Sequence, residues 1–206
     1  SVTANADDAT KPSLPPETDL LVVAGGSGSP NLIGELLKTL KPLAFPVVIV
    51  QTMPPSFTAP FVEFIGRKTG HPTVEATATC SLESGNITVM PGGREGTMSQ
   101  DATGLRLNLG SAAANRVCDV IASALTAAKA PVLLFLSGEG RPLNHLVTAA
   151  AGKTPAIWIQ KPGTCFNDAL PRSVIATGLA KTVFDPSGLV AAAQPSMQGT
   201  MERNVA

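Results

Sequence analysis

Hydrophobic positions in this chain follow two alternating rhythms: short unbroken runs, and stretches where they recur every three or four residues. The first run, Leu20–Ala24, is five apolar residues long and predicts a strand buried on both faces. Gly25, Gly26 and Gly28 follow and allow a sharp turn, with positive φ where the turn needs it. Ser29 is placed to cap a helix, and Pro30 suits its first position. From Asn31 to Leu40 the residues Leu32, Ile33, Leu36, Leu37 and Leu40 fall at helical spacing. Strand, Gly-Ser turn and helix together present a serine hydroxyl, or a row of backbone N–H groups, at the end of a parallel sheet.

The same alternation continues to residue 193. Phe45–Gln51 predicts a second buried strand, and Ser56–Arg67 a helix with Phe57, Phe61, Phe64 and Ile65 on one side. Thr73–Ala78 and Asn86–Met90 read as short strands, and Leu105–Leu109 alternates as an edge or hairpin strand would. Ser111 is placed to cap a long Ala-rich helix reaching about Lys129. Pro131–Leu136 is a third strongly buried strand, Leu143–Ala151 a helix and Pro155–Gln160 a strand. Helices close the series at Arg172–Thr177 and Pro186–Ala193. Strands alternating with helices predict an α/β fold: a doubly wound, mostly parallel sheet with helices on both faces, in three α/β/α layers. Its crevice is expected at the carboxyl ends of the strands, where Gly25–Ser29, Gln51–Pro55 and Ser137–Arg141 converge. Residues 1–18, with Pro12, Pro15 and Pro16, have linker composition, and their position predicts a preceding domain. The α/β domain covers residues 19–194, and 195–206 reads as a flexible tail.

Composition narrows the functional classes. Fifteen basic and fifteen acidic residues cancel, which removes the electrostatic case for nucleic acid or an anionic membrane. Aromatic residues are 4% of the chain, too sparse for a base-stacking platform. No apolar run reaches membrane-spanning length, so no membrane insertion is expected. Cys80, Cys118 and Cys165 are far apart and form no C-x-x-C pair. They read as reduced thiols of a cytoplasmic protein, with no metal site and no cofactor expected.

The first loop invites comparison with two known devices. A dinucleotide fingerprint needs a third glycine, and Gly26-Ser27-Gly28-Ser29-Pro30-Asn31 lacks it. The second strand also ends in Gln51, where a ribose-binding carboxylate belongs. A small-molecule or nucleotide sensor using the Gly-rich loop remains an alternative. A nucleophile elbow needs a serine at its apex and a histidine base within reach.

Five segments then occur in a telling order: Val23-Ala-Gly-Gly-Ser-Gly-Ser-Pro30, Val50-Gln-Thr-Met-Pro-Pro-Ser-Phe-Thr58, Met90-Pro-Gly-Gly-Arg94, Leu136-Ser-Gly-Glu-Gly-Arg141 and Leu170-Pro-Arg172. They resemble the C-terminal catalytic domain of CheB, the chemotaxis protein-glutamate methylesterase, over residues 20–190. The resemblance implies the same doubly wound fold, a receiver domain ahead of the linker, and a place in chemosensory signalling. It also implies a Ser-His-Asp triad on the three converging loops. The family's G-A-S-T-G-G-P aligns its nucleophile with Gly26 and its threonine with Ser27. V-Q-H-M-P-P aligns the base with Thr52, and T-G-M-G-x-D-G aligns the aspartate with Pro142. The methionine whose N–H helps hold the oxyanion aligns with Glu139.

All three triad positions are therefore substituted. Gly26 has no side chain, and Thr52 has no basicity near neutral pH. Pro142 offers neither an acceptor for an imidazole nor an N–H. An ionised Glu139 opposes the charge of a tetrahedral intermediate. The leading expectation is an inactive binding or regulatory homologue that recognises chemoreceptor cytoplasmic helices or another signalling protein. The second is a carboxylic-ester hydrolase rebuilt on Ser27, His145 and Glu139. Binding positions expected around the crevice are Gly25, Gly28, Ser29, Met53, Pro54, Arg94, Glu139 and Arg141, with Arg141 a candidate anion contact.

Overall fold

Seven strands pair, all in parallel, into one central sheet. A computed structural model describes residues 13–110, 117–141, 143–180 and 182–194. Strand β1 (Leu20–Gly25) lies between β2 (Val47–Gln51) and β8 (Pro131–Phe135). Its register sets Leu21 opposite both Val47 and Val132. Beyond β2 come β5 (Ile87–Val89) and β3 (Thr73–Glu75); beyond β8 come β9 (Ala156–Gln160) and β10 (Thr182–Phe184). The fully buried runs of β1, β2 and β8 follow from this central position, because both faces of each strand are covered.

Alternate side chains point to opposite faces, so each face has its own core. On one face Leu21, Val23, Ile49 and Leu134 meet α1 (Pro30–Thr39), α2 (Thr58–Thr69) and α6 (Pro186–Ala193). On the other, Leu20, Val22, Val48 and Phe135 meet α3 (Val117–Ala127), α4 (Asn144–Ala150) and α5 (Ala169–Ala176). The result is the expected three-layer α/β/α arrangement. Chain direction across the sheet changes at β1: the connection through α1 leads to β2 on one side, while β8 occupies the other. Loops leaving β1 and β8 therefore part to opposite faces and open a crevice between them.

Several local expectations are corrected. The strand predicted over Thr73–Ala78 stops at Glu75, and a new one, β4 (Thr79–Ser81), leaves the main sheet. It joins β6 (Gly96–Asp101) and β7 (Gly104–Leu109) in a separate antiparallel sheet, ordered β4-β7-β6. Leu105–Leu109 thus forms a hairpin strand in a central place, not an edge. Strands β6 and β10 escape the sequence pattern. β6 carries one apolar side chain, Met98, among Thr97, Ser99, Gln100 and Asp101, and β10 has only three residues at the sheet edge. Phe57 does not share the buried side of α2; it is 60% exposed in a 3-10 turn before the helix. The predicted helix start at Ser111 lies outside the described residues. Part of the expected linker is attached: the Leu14 N–H donates to the Ala192 carbonyl (3.2 Å), and the Leu14 side chain packs on the core. Among the described residues no helix is long and apolar enough to cross a membrane.

Candidate functional site

Backbone hydrogen bonds tie the three loops together at the carboxyl ends of the central strands. The Gly26 N–H donates to the Ser137 carbonyl (2.8 Å), and the Thr52 N–H donates to the Gly25 carbonyl (2.9 Å). Two buried glutamines at strand ends lock this junction. Gln51 Nε2 donates to the Gly26 carbonyl (2.7 Å), and Gln160 Oε1 accepts from the Ser137 N–H (2.9 Å). Ser29 occupies the N-cap position of α1 but makes no side-chain cap. It is fully buried, and its hydroxyl lies within reach of the Gly26 carbonyl (2.8 Å) and Gln51 Oε1 (2.9 Å). The hydroxyl is thus spent inside the loop and faces no ligand. Of the three glycines in the turn, Gly28 has a positive φ, +89°.

Gly26 is enclosed. A Cβ built there would lie 2.3 Å from Glu139 Oε2 and 2.9 Å from the Gly138 Cα. The Ser27 hydroxyl donates to Glu139 Oε1 (2.7 Å), while Glu139 Oε2 is buried without a hydrogen-bond partner among the described residues. Burial alone pushes the Glu139 carboxyl up. The Ser27 hydroxyl, the backbone N–H groups of Glu139 and Ser27, and the Arg141 guanidinium outweigh it and hold the group below its ordinary value of 4.5. Glu139 is therefore ionised at neutral pH and sits over the place where a side chain on Gly26 would begin. On the neighbouring loop, Arg141 Nη2 donates to Thr52 Oγ1 (2.9 Å).

These shifts predict an acid-sensitive fold. Asp101 is held below its ordinary 3.8 by the Thr103 hydroxyl and N–H, and Asp185 by the Gly188 N–H and Ser187 hydroxyl. A carboxyl whose folded pKa is depressed adds stability above its unfolded pKa and loses it as pH falls through the folded value. The urea midpoint is expected to be flat from neutral pH to about 5 and to fall below 4.5, the ordinary value for Glu139. Glu139→Gln should flatten that fall in an equilibrium unfolding series.

A cleft of about 100 Å³ opens beside this junction, lined by Thr52, Met53, Met90, Pro91, Arg94 and Arg141 among others. Arg94 is anchored: Nε (3.1 Å) and Nη2 (2.7 Å) donate to the Gly110 carbonyl. Its loop reaches the cleft because Gly92 lies directly on the Met53–Pro54 backbone, where a Cβ would meet the Met53 carbonyl oxygen at 2.4 Å. Met53 and Arg94, both expected binding positions, thus line one cleft with Arg141. Gly25 ends β1 in the core, and Pro54 is exposed.

The rebuilt constellation does not assemble as the sequence pattern proposed. Ser27 meets Glu139 directly, and His145 Nδ1 instead contacts Asp119 of α3. Asp119 was invisible as a partner because 26 residues separate the two. Pro142 lies outside the described residues. Burial, and behind it the Asp168 carboxylate, pushes the Cys165 thiol up to about 11, leaving almost no thiolate at neutral pH. Among the described residues no three His, Cys, Asp or Glu side chains gather as a metal site. The sequence reading also missed Phe166, which is 84% exposed and has its Cβ against Gly28. A large exposed aromatic has no signature in a single sequence.

Comparisons with known proteins agree with this architecture. The model of the CheB methylesterase family matches residues 21–192. A protein-glutamate methylesterase/protein-glutamine glutaminase of Nocardioides sp. is 32% identical over 174 residues, covering 80% of this chain and 47% of that protein. A second, from Saccharophagus degradans, is 28% identical over 187 residues, covering 88% and 51%. The chain thus spans about half the length of these curated relatives. The crystal structure of the Thermotoga maritima CheB methylesterase catalytic domain superposes with a TM-score of 0.75 at 21% identity, over 84% of this chain and 98% of that one. With fold, loop junction and sequence match in agreement, the chain belongs to the CheB methylesterase family.

Proposed function

We propose that this chain is a CheB-like domain of a chemosensory system that binds a signalling partner and does not hydrolyse esters. The observation that carries the reading is the Glu139 carboxylate, ionised and seated over Gly26, the position that aligns with the family's nucleophile. Glu139 replaces the methionine of the family motif. Its charge repels both an approaching oxyanion and the alkoxide character a serine needs. Thr52, aligned with the family's base, has its hydroxyl engaged by Arg141. Ser27 cannot substitute through Glu139, because a carboxylate with a depressed pKa is too weak a base to take a serine proton. Chemoreceptor cytoplasmic helices are the proposed partners, and a receiver domain ahead of residue 1 is proposed by the family pattern.

A fluorophosphonate probe tests the reading: Ser27 is expected to remain unlabelled. Stoichiometric labelling of Ser27, abolished by His145→Ala, would establish the rebuilt hydrolase instead. The packing is testable separately. Gly26→Ser is expected to destabilise the domain by about 1–3 kcal/mol, since the new side chain overlaps the Glu139 carboxylate. Glu139→Ala should recover part of that loss in a double-mutant cycle read by urea unfolding. Additive effects would show that Glu139 does not occupy the site above Gly26.

A further inference from the structure

We infer that the pocket at the amino end of the sheet, opposite the crevice, binds a small zwitterion: a free α-amino acid with an apolar side chain. The inference is independent of whether the crevice hydrolyses esters, because the pocket takes no residue from the three crevice loops.

The walls are fastened by the protein's own bonds. The floor lies where β8 and β9 begin, with Val132 opposite Ala156 in the sheet register. Pro131, on β8, and Leu125, near the end of α3, complete an apolar base. One wall is the segment that enters β1. The Thr18 N–H (3.0 Å) and hydroxyl (2.6 Å) both donate to the Pro15 carbonyl and close a turn there. The Asp19 carboxylate accepts from the N–H groups of Lys129 (2.7 Å) and Ala130 (2.9 Å), which fastens the segment to the end of α3. A second wall is the loop after α4, which Gly152 turns with a φ of +73°. In it the Lys153 ammonium donates to the Leu125 carbonyl. With both walls held, little ordering is left for a ligand to impose.

Size and charge define the ligand. The pocket measures about 410 Å³, within the range of roughly 300–1,000 Å³ usual for small-molecule sites. Charges of both signs border it: Glu17 from the entry segment, Lys129 from the end of α3 and Lys153 from the second wall. Asp19 and Lys153 already serve the walls. Among the described residues, the Glu17 carboxylate, the Lys129 ammonium and the Thr154 hydroxyl have no hydrogen-bond or ion-pair partner. Glu17 and Lys129 thus offer one acceptor and one donor of opposite charge, and they do not pair with each other. A lone anion would meet like charge at Glu17, and a lone cation would meet it at Lys129 and Lys153. A molecule that carries both an ammonium and a carboxylate satisfies both residues. The base of Leu125, Pro131, Val132 and Ala156 then favours an apolar side chain over a polar one.

The test titrates L-leucine into the 206-residue chain, labelled with nitrogen-15 and followed by NMR. The amide signals of Lys129, Ala130, Val132, Thr154 and Ala156 are expected to shift together and to saturate. Isocaproate lacks the amine, isoamylamine lacks the carboxylate and glycine lacks the side chain. Each should bind at least about tenfold more weakly than leucine. Glu17→Gln should erase the advantage of leucine over isocaproate, and Lys129→Gln its advantage over isoamylamine. Lys129→Arg, which keeps the charge, should retain part of the affinity. Both side chains are exposed, so the fold should survive each change, and circular dichroism checks it. No saturable shift at these amides, or undiminished leucine binding in both Gln variants, would overturn the inference. Isocaproate that binds as tightly as leucine would overturn the amino-acid assignment and leave a simple anion site in its place.

Discussion

Incubated with methylated chemoreceptor, the purified protein is expected to release methanol no faster than buffer. Removing the reacting members of a serine triad costs about a million-fold in kcat, which corresponds to about 8 kcal/mol of barrier. On the proposed alignment Gly26 and Thr52 would stand where the family has its nucleophile and base, and the Glu139 carboxylate would add a repulsive charge beside them. The reverse substitutions sharpen the expectation. Gly26→Ser, Thr52→His or Pro142→Asp alone should restore nothing, because triad members act as a unit. The three together should remain weak, since a serine at position 26 overlaps the Glu139 carboxylate. Adding Glu139→Met removes the charge and replaces the hydrogen-bonded carboxylate with a flexible unbranched chain, and the fourfold variant should show the first measurable turnover of an activated ester. A rate above background in the unmodified protein would defeat the non-hydrolytic reading. Silence from a fourfold variant whose crystal structure shows an assembled triad would place the loss in the oxyanion hole or substrate groove.

Gly92→Ala is expected to be the most destabilising of the single glycine substitutions around the cleft. Its Cβ would lie 2.4 Å from the Met53 carbonyl oxygen and 2.8 Å from that of Pro54. Both obstacles are backbone, so neither can swing aside as a side-chain tip can. The Gly92 N–H also donates to the buried Thr58 hydroxyl (2.9 Å), and a displaced loop would lose that bond. A cost near the upper end of about 1–3 kcal/mol follows, or a fall in Tm of roughly 5–10 °C for a domain of this size. Gly163→Ala, with nothing within 4 Å of the new methyl, is the control and should be within about 0.5 kcal/mol of the parent. The same movement would carry Arg94 and Met53 away from the positions in which they line the cleft. Equal melting of the two variants would show that the loop contact at Gly92 is looser than described.

The strongest sequence signals were those with a local physical cause. Leu20–Ala24, Val47–Gln51 and Pro131–Phe135 are continuous apolar runs because the central strands are covered on both faces, and that requirement is written into each segment alone. Gly25–Ser29 followed by Pro30 likewise marked the turn and the start of α1. Strands β4, β6 and β10 are not legible in the sequence. β4 and β10 have three residues each and pair with β7 and β9, distant in sequence, whereas β6 closes a tight hairpin with β7 but is mostly polar. At the site, the order of strands and loops predicts that Gly26, Thr52 and Ser137–Arg141 meet at the same end of the sheet, and backbone bonds there join them. Only tertiary structure decided how the substituted residues use one another. Ser27 turns to Glu139, Arg141 turns to Thr52, and His145 turns to Asp119, across separations of 112, 89 and 26 residues. Spacing along the chain fixes where a loop emerges. It does not fix which side chain meets another across the crevice, because that depends on the packing of separate strands and on which charges can be hydrogen-bonded once water is displaced.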